Sequence, residues 1–410
     1  MLNWANQFNI CCFLDNQHYN LPHHSFECMA AAGAVQTLAT AAGTAFHQLQ
    51  QLYEQHHDWL FGHLSYDLKN ETEDLASHNT DRIGFPDLCF FIPDVLLQLS
   101  EHELVIGTFD GRHETVFHEI RSTKPVNEAG QHLATPIHNR ISKADYIHII
   151  QQLQQHILRG DCYEINFCQE FFAEQVAIDP LQVYCSLSNT SPNPFSAYYK
   201  TGQQYLLCAS PERYLKKEGS RIYSQPIKGT SQRNLNDAGE DVKHKEHLYN
   251  SAKDRSENVM IVDLVRNDLS KICEEASVQV DELFGIYSFP QVHQMISTVS
   301  GQLRSDIHFI EAIKATFPMG SMTGAPKRRV MELIEQYEQT RRGIFSGAVG
   351  YLTPEGDFDF NVVIRSIMYN AASRYLSFQA GSAITFYSDP EKEYEECLLK
   401  AAAIKKVLGS

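Results

Sequence analysis

The C-terminal third of the chain most restricts how it folds. Three strand-like runs, "GIFSGAVGYLT", "DFDFNVVIRSIMYN" and "RYLSFQAGSAITFY", follow one another with only "PEGD" and "NAAS" as turns. Connections that short join antiparallel neighbours, because a parallel crossover needs a much longer link. The runs therefore predict an antiparallel meander. Helical patterns lie outside it. One runs between Arg255 and Cys273, with Met260, Ile261, Leu264 and Val265 on its apolar face. Another runs from about Pro326 to Tyr337, and a third from Pro390 to the C-terminus. Strands grouped together with helices set apart, rather than strict alternation, predict an α+β fold.

Upstream, "SKADYIHIIQQLQQHILRGD" reads as a helix. Ser142 is its N-cap with Asp145 three residues on, Ile147, Ile150 and Leu153 recur at helical spacing, and Gly160 closes it. The polar stretch from Arg121 to Arg140 contains Pro and Gly and reads as a linker or long surface loop. Before it, residues 1–125 mix short helical and strand patterns. There, "LCFFIPDVLLQLS" and "HELVIGTF" predict two strands around a turn.

A chain of 410 residues has room for two or three domain-sized units, or for one large domain. Its net charge of −16 argues against a nucleic-acid partner, since phosphate binding needs a basic surface. An anionic small substrate would need local cations or a metal against that field. The ten cysteines include no C-x-x-C pair and read as reduced thiols of a cytoplasmic protein. The N-terminus lacks the basic and apolar regions of a signal peptide, and no run of 18 apolar residues predicts a membrane span. His23-His24 and His56-His57 match no metal-binding spacing and read as surface residues.

Several stretches carry chemistry. In "YSDPEKEYEECLLKAAAIKK", Ser388 and Asp389 are candidate N-caps and Pro390 suits the first helical position. Glu393 and Glu396 project from one face, with Lys400 a turn beyond. Two such carboxylates suit a hard divalent ion such as Mg²⁺, or simply an acidic helix start. In "FPMGSMTGAPKRRVMELI", small residues Gly320 to Ala325 precede a helix. Free backbone N–H groups there suit a carboxylate, though not as a P-loop, and an ordinary cap has the same pattern. Glu257 borders the apolar face of its helix, as a salt-bridge partner or a third metal ligand. Alternation puts Asn361, Val363, Arg365 and Ile367 on one strand face, where an arginine calls for an anion. Glu212 and Lys228 sit sixteen residues apart around "KKEGS", consistent with two neighbouring strands. In "PIKGT" the lysine falls where a strand runs into a Gly-Thr turn. It attacks a substrate only when deprotonated, and a lysine in a turn is also commonly just solvated.

Together, "SPERYL", "PIKGT", "ENVMIVDLVRNDLSK", "GSMTGAPK", "GAVGYL" and "DPEKEYEECLLKA" occur in an order that resembles the chorismate-utilising enzymes. That family includes anthranilate synthase component I, isochorismate and salicylate synthases, and aminodeoxychorismate synthase component I. The resemblance is strong over residues 141–408, the expected chorismate-binding catalytic region. It is weak over residues 1–125, expected to be a divergent part of the same fold. It implies two large antiparallel sheets packed face to face with helices outside. It implies that Glu257, Glu393 and Glu396 hold Mg²⁺, that Arg365, Lys400 and the Ser321, Thr323, Gly324 and Ala325 loop contact substrate carboxylates, and that Glu212 is the general acid/base.

Within the family, lysine at the "PIKGT" position is similar to the aminodeoxychorismate synthases, whereas other branches carry alanine there. The resemblance implies that Lys228 adds to C2 of the chorismate ring as the 4-hydroxyl leaves, and that ammonia then enters C4. It implies a glutamine amidotransferase partner (component II) and a role in 4-aminobenzoate and folate synthesis. Anthranilate synthase component I and a non-catalytic chorismate-binding homologue are the alternatives. Two positions depart from the pattern. Glu164 stands where water-adding members carry a lysine base and aminating members a glutamine. "VHQMIS" puts Gln294 where the family has histidine, and alternation aims the adjacent His293 at the opposite face.

Overall fold

The computed structural model describes residues 1–19, 26–124, 136–289 and 292–409. Among them, two large antiparallel sheets of eleven and ten strands dominate. The first sheet takes strands Ile10–Asp15, Cys28–Ala32, Val95–Leu99 and Leu104–Thr108 from the N-terminal part of the chain. It adds Glu164–Ala173, Phe195–Thr201, Gln204–Ser210, Ser366–Asn370 and Tyr375–Ile384. The second sheet is likewise mixed in origin, from Gln36–Thr40, Leu60–Leu64 and Leu88–Ile92 through Arg213–Glu218, Val292–Gln302 and Phe358–Asn361.

Two apolar cores result. One joins inward residues of both sheets, such as Tyr199, Leu206 and Cys208 with Phe61, Phe90, Leu215 and Phe360, and includes Ile261, Val262 and Val265 of a flanking helix. The other seals the far face of the first sheet under helices Lys143–Leu158, Pro180–Thr190, Lys327–Tyr337 and Pro390–Val407. The expected helix after Ser142 forms over Lys143–Leu158, and the Ser142 hydroxyl accepts from the Asp145 N–H. Of its three expected apolar positions, Ile150 and Leu153 are buried, and Tyr146 joins them. In the helix Ala252–Ser270, Ile261 and Val265 are buried as expected, while Met260 and Leu264 are half-buried.

The expected single meander is corrected. "DFDFNVVIRSIMYN" is not one strand. It divides into Phe358–Asn361, which pairs in the second sheet, and Ser366–Asn370, which pairs in the first. Residues 362–365 carry the chain between sheets, and Arg365 adopts a left-handed φ of 54° there. The alternation that put Asn361, Val363, Arg365 and Ile367 on one face therefore does not hold. The valines at 362 and 363 are buried and Ile364 is half-buried against the core, so the run looks like strand without pairing as one. "LCFFIPDVLLQLS" divides in the same way into Leu88–Ile92 and Val95–Leu99, one in each sheet, around Pro93-Asp94.

"PIKGT" is corrected too. The chain does not turn after Lys228. The strand continues over Ile227–Gln232, with a register shift between Ile227 and Thr230. Gly229 sits in that irregularity at φ +92°, and a Cβ there would approach the Asp254 Cβ to 3.0 Å. Of the expected linker, one end belongs to helix His113–Ser122, and His138–Asn139 pairs with Glu164–Ala173. Residues 125–135 lie outside the described residues, as does the His23-His24 pair. His56 and His57 are exposed at the end of a helix.

Candidate active site

Two passages of chain between the sheets place the first site residues. Ser210 ends a strand of the first sheet and Arg213 begins one of the second, so Glu212 lies on the crossing. Arg365 lies on the return crossing. The two crossings are bonded together: the Val362 N–H donates to the Glu212 carbonyl at 3.0 Å, and the Ala209 N–H donates to the Arg365 carbonyl at 3.4 Å. Glu212 is 4% exposed. Burial pushes its carboxyl up to about 7, against the pull of the Ser321 hydroxyl, Lys228 and the Ile227 N–H. A carboxyl poised there can both give and take a proton near neutral pH.

Lys228 acts on this carboxyl from strand Ile227–Gln232, which lies beyond the hairpin Arg213–Gln225 and is not the sheet neighbour of the strand after Glu212, so the two residues are not on neighbouring strands as expected. Its ammonium donates to Glu164 Oε1 at 3.0 Å, and the two side chains are 11% and 2% exposed. Burial pulls the ammonium down, but Glu164, Glu257 and Glu212 outweigh it and hold the group above its ordinary pKa. Lys228 is thus neither solvated nor already a free amine. Glu164 opens strand Glu164–Ala173 and points into the site, and its Oε2 is buried with no hydrogen-bond partner among the described residues.

The candidate metal carboxylates come from two helices. Ser251 caps Ala252–Ser270, which presents Glu257. Asp389, rather than Ser388, caps Pro390–Val407 by accepting from the Glu391 and Lys392 N–H groups. That helix presents Glu393 and Glu396. Burial pushes Glu257 up to about 7, with Lys228 and Lys253 opposing. Glu393 is 2% exposed, and its Oε2, like Glu257 Oε1, is buried without a hydrogen-bond partner among the described residues. For Glu396, burial is outweighed by Lys400, Lys253 and Lys228, and its carboxyl is lowered. Lys400 pairs with Glu396 at 2.8 Å and donates to the Gly381 carbonyl at 2.9 Å.

Lys253 escaped the sequence reading. Its ammonium lies 3.8 Å from Glu257 Oε1 and 3.5 Å from Glu393 Oε1, joining the two helices. The i,i+4 spacing from Lys253 to Glu257 was the available signal. Among the described residues no group of three or more His, Cys, Asp or Glu is gathered closely enough to hold an ion. The donor chemistry nevertheless fits one. Buried oxygens on Glu257 and Glu393 that accept no hydrogen bond among the described residues, with the Lys253 ammonium facing both residues, make a place that favours a hard cation.

The small-residue loop closes the site. Gly320–Met322 is a 3-10 turn, and Gly324–Ala325 pairs with Ile165 and Glu164. Gly324 has φ +140°, and a Cβ there would stand 2.1 Å from the Glu164 carbonyl oxygen, so only glycine fits. The Ser321 hydroxyl lies beside Glu212. The Thr323 hydroxyl turns back onto the Met319 and Gly320 carbonyls instead, and the Met322 and Thr323 N–H groups close the turn. Arg365 makes no ion pair among the described residues. Burial lowers its pKa, and Glu396 only partly counters this, so the guanidinium is under-compensated and suited to an anionic ligand.

Behind the loop stands a buried pair that sequence reasoning also missed. Arg342 donates to Glu338 at 2.6 Å, to the Met322 carbonyl at 2.6 Å and to the Asn166 carbonyl at 2.8 Å. Glu338 in turn accepts from the Cys168 N–H at 2.8 Å. The pair thereby ties the loop to the strand that carries Glu164. At the departures from the family pattern, Gln294 is buried and its Oε1 has no hydrogen-bond partner among the described residues. His293 faces elsewhere, with Nδ1 2.8 Å from Ser288 Oγ and Nε2 3.2 Å from Asp241.

The site thus brings together a lysine, a proton-holding carboxyl, glutamates of two helices joined by Lys253, and an arginine. Residues 11–406 match the family described as chorismate binding enzyme. The chain belongs to that family. It is 36% identical over 352 residues to aminodeoxychorismate synthase component 1 of Escherichia coli, covering 85% of this chain and 76% of that protein. It is 35% identical over 392 residues to a probable chloroplastic aminodeoxychorismate synthase of rice. That match covers 86% of this chain but only 43% of the rice protein, so the chain spans less than half its length. The crystal structure of anthranilate synthase component I from Streptococcus pneumoniae superposes with a TM-score of 0.81 at 25% identity, covering 94% of both chains. Two large sheets with outer helices are thus the family's architecture. No helix among the described residues is long and apolar enough to cross a membrane.

Proposed function

We propose that this chorismate-binding enzyme is the synthase component that converts chorismate and ammonia into 4-amino-4-deoxychorismate, feeding 4-aminobenzoate and folate synthesis in the cytoplasm. The observation that carries the reading is Lys228, buried beside Glu164 and opposite Glu212. A lysine at the reacting ring supplies a nitrogen nucleophile that a hydroxyl-activating site lacks. In this reading the Lys228 amine adds to ring C2 and Glu212 protonates the departing 4-hydroxyl. Ammonia then enters C4 and releases the lysine. Adding at C2 first directs the incoming nitrogen to C4.

Arg365, Lys400 and the Ser321–Ala325 loop would hold the substrate's carboxylates. Glu257, Glu393 and Glu396 would hold Mg²⁺, with Lys253 displaced from between them. Bound there, the ion would neutralise a substrate carboxylate against the acidic field. A glutamine amidotransferase subunit would deliver the ammonia, as the words "component 1" in the name of the E. coli relative suggest.

Incubation of the purified protein with chorismate, Mg²⁺ and ammonium tests this directly. The expected product, identified by chromatography and mass, is 4-amino-4-deoxychorismate. Anthranilate or isochorismate as the main product would overturn the reading.

A further inference from the structure

Resting on that reading, the ion pair at the centre of the site raises a question of proton flow. A lysine adds to carbon only as the free amine, and Lys228 is held as an ammonium. Some group must take its proton. Among the described residues, Glu164 is the carboxylate within 4.0 Å of the Lys228 Nζ, at 3.0 Å. We propose that Glu164 is a catalytic base dedicated to Lys228, removing its proton for the attack on the ring and returning it when the lysine leaves.

The two buried carboxyls then divide the work by environment. Glu212 keeps its proton to about 7 and hydrogen-bonds no lysine, so it is the donor. Glu164 is already joined to the ammonium and is the acceptor. Transfer from Lys228 to Glu164 turns a buried ion pair into a neutral pair, which burial itself favours once ligand excludes water. Glu164 cannot drift from its task. Its backbone is held against Ala325, and the neighbouring Ile165 and Asn166 pair with Ile384 and Ala383. Its buried Oε2 is committed to no competing donor among the described residues.

The steps balance. The Lys228 proton passes to Glu164 as the N–C2 bond forms. The ring double bonds shift toward C4, the C4–O bond breaks, and the hydroxyl leaves as water with the Glu212 proton. Ammonia then bonds to C4, and the double bonds shift back. The C2–N bond breaks, and Lys228 recovers its proton from Glu164. The surplus proton of the new amine restores Glu212. Chorismate and ammonia have become the aminated product and water, and every enzyme group is reset.

The test reads the first half-reaction. Protein, chorismate and Mg²⁺ without ammonium should accumulate a Lys228 adduct with the added mass of chorismate less one water, located by peptide mass spectrometry. In Glu164→Gln, adduct formation near neutral pH should slow by about 100-fold or more, the usual scale for a lost general base. The rate should recover as pH rises and the amine frees itself. Glu212, Glu257 and Glu396 also act on Lys228, and Lys253 lies near the last two, so the profile is compared with that of the wild type. Glu164→Ala guards against a merely structural loss, because added formate should restore part of its rate if a carboxylate base is what is missing. Glu164→Gln forming adduct at the wild-type rate, or faster, would overturn the proposal while the functional reading stood. So would a Glu164→Ala variant that is slow yet indifferent to formate. Wild-type protein that yields neither adduct nor aminated product would instead overturn the functional reading beneath it.

Discussion

Replacing Glu212 with Gln should separate catalysis from stability. Glu212 is 4% exposed and burial holds its carboxyl near 7, against an ordinary value of 4.5. Below 4.5 the native and unfolded chains both carry the proton, and the group contributes no pH dependence. Between 4.5 and about 7 the unfolded chain releases its proton while the native state keeps it, so native stability falls as pH rises. Above about 7 the native carboxyl ionises as well, and the full penalty remains, about 3 kcal/mol for a change of this size. Glutamine never ionises and escapes that penalty. Relative to wild type, Glu212→Gln should therefore gain about 2 kcal/mol between about pH 5.5 and about pH 8. Urea unfolding of both proteins at the two pH values measures it. Amination of chorismate should meanwhile fall by about 100-fold or more with the loss of the acid. A stability difference that does not change with pH, or that moves against the variant as pH rises, would refute the raised carboxyl and its assignment as proton donor.

Further substitutions probe the rest of the site. Lys228→Ala should abolish or redirect amination at C4 while circular dichroism stays native, with product analysis by mass as the readout; undiminished aminodeoxychorismate would remove the covalent role. Glu393→Gln should weaken Mg²⁺ binding measured by calorimetry as well as the Mg²⁺ response of the reaction, and an unchanged binding isotherm would place the ion elsewhere. Arg342→Met should cost about 3–5 kcal/mol of stability, because it strands the buried Glu338 carboxylate. Glu338→Gln combined with Arg342→Met should recover part of that loss in the same denaturation assay.

The sequence was most readable where structure is local. Ser142 and Asp389 cap the helices they were expected to cap, or share in capping, because a cap is decided within a few residues. Glu393, Glu396 and Lys400 were legible as one helix face for the same reason. Passages between sheets were not. Val362 and Val363 are buried, and Ile364 half-buried, where the chain crosses, so hydrophobicity alone continued the strand through them. Glu212 and Lys228 were legible as a pair only through the hairpin between them. The direction of Glu164 was not, since its partner lies 64 residues away. For Arg342 the local signal was only its four-residue spacing from Glu338; its other partners, the Asn166 and Met322 carbonyls, belong to a strand and a loop that meet only in the folded protein.

The contact between Gly324 and the Glu164 carbonyl has a consequence for redesign. The residue whose side chain partners Lys228 is also the one whose main chain forbids a side chain in the loop opposite. Loop and lysine partner are therefore one mechanical part. Enlarging position 324 would push the strand edge and shift the partner of Lys228 at the same time. An engineer seeking a new ring substrate has more freedom at Ser321, whose hydroxyl lies beside Glu212, than at the glycine three residues on.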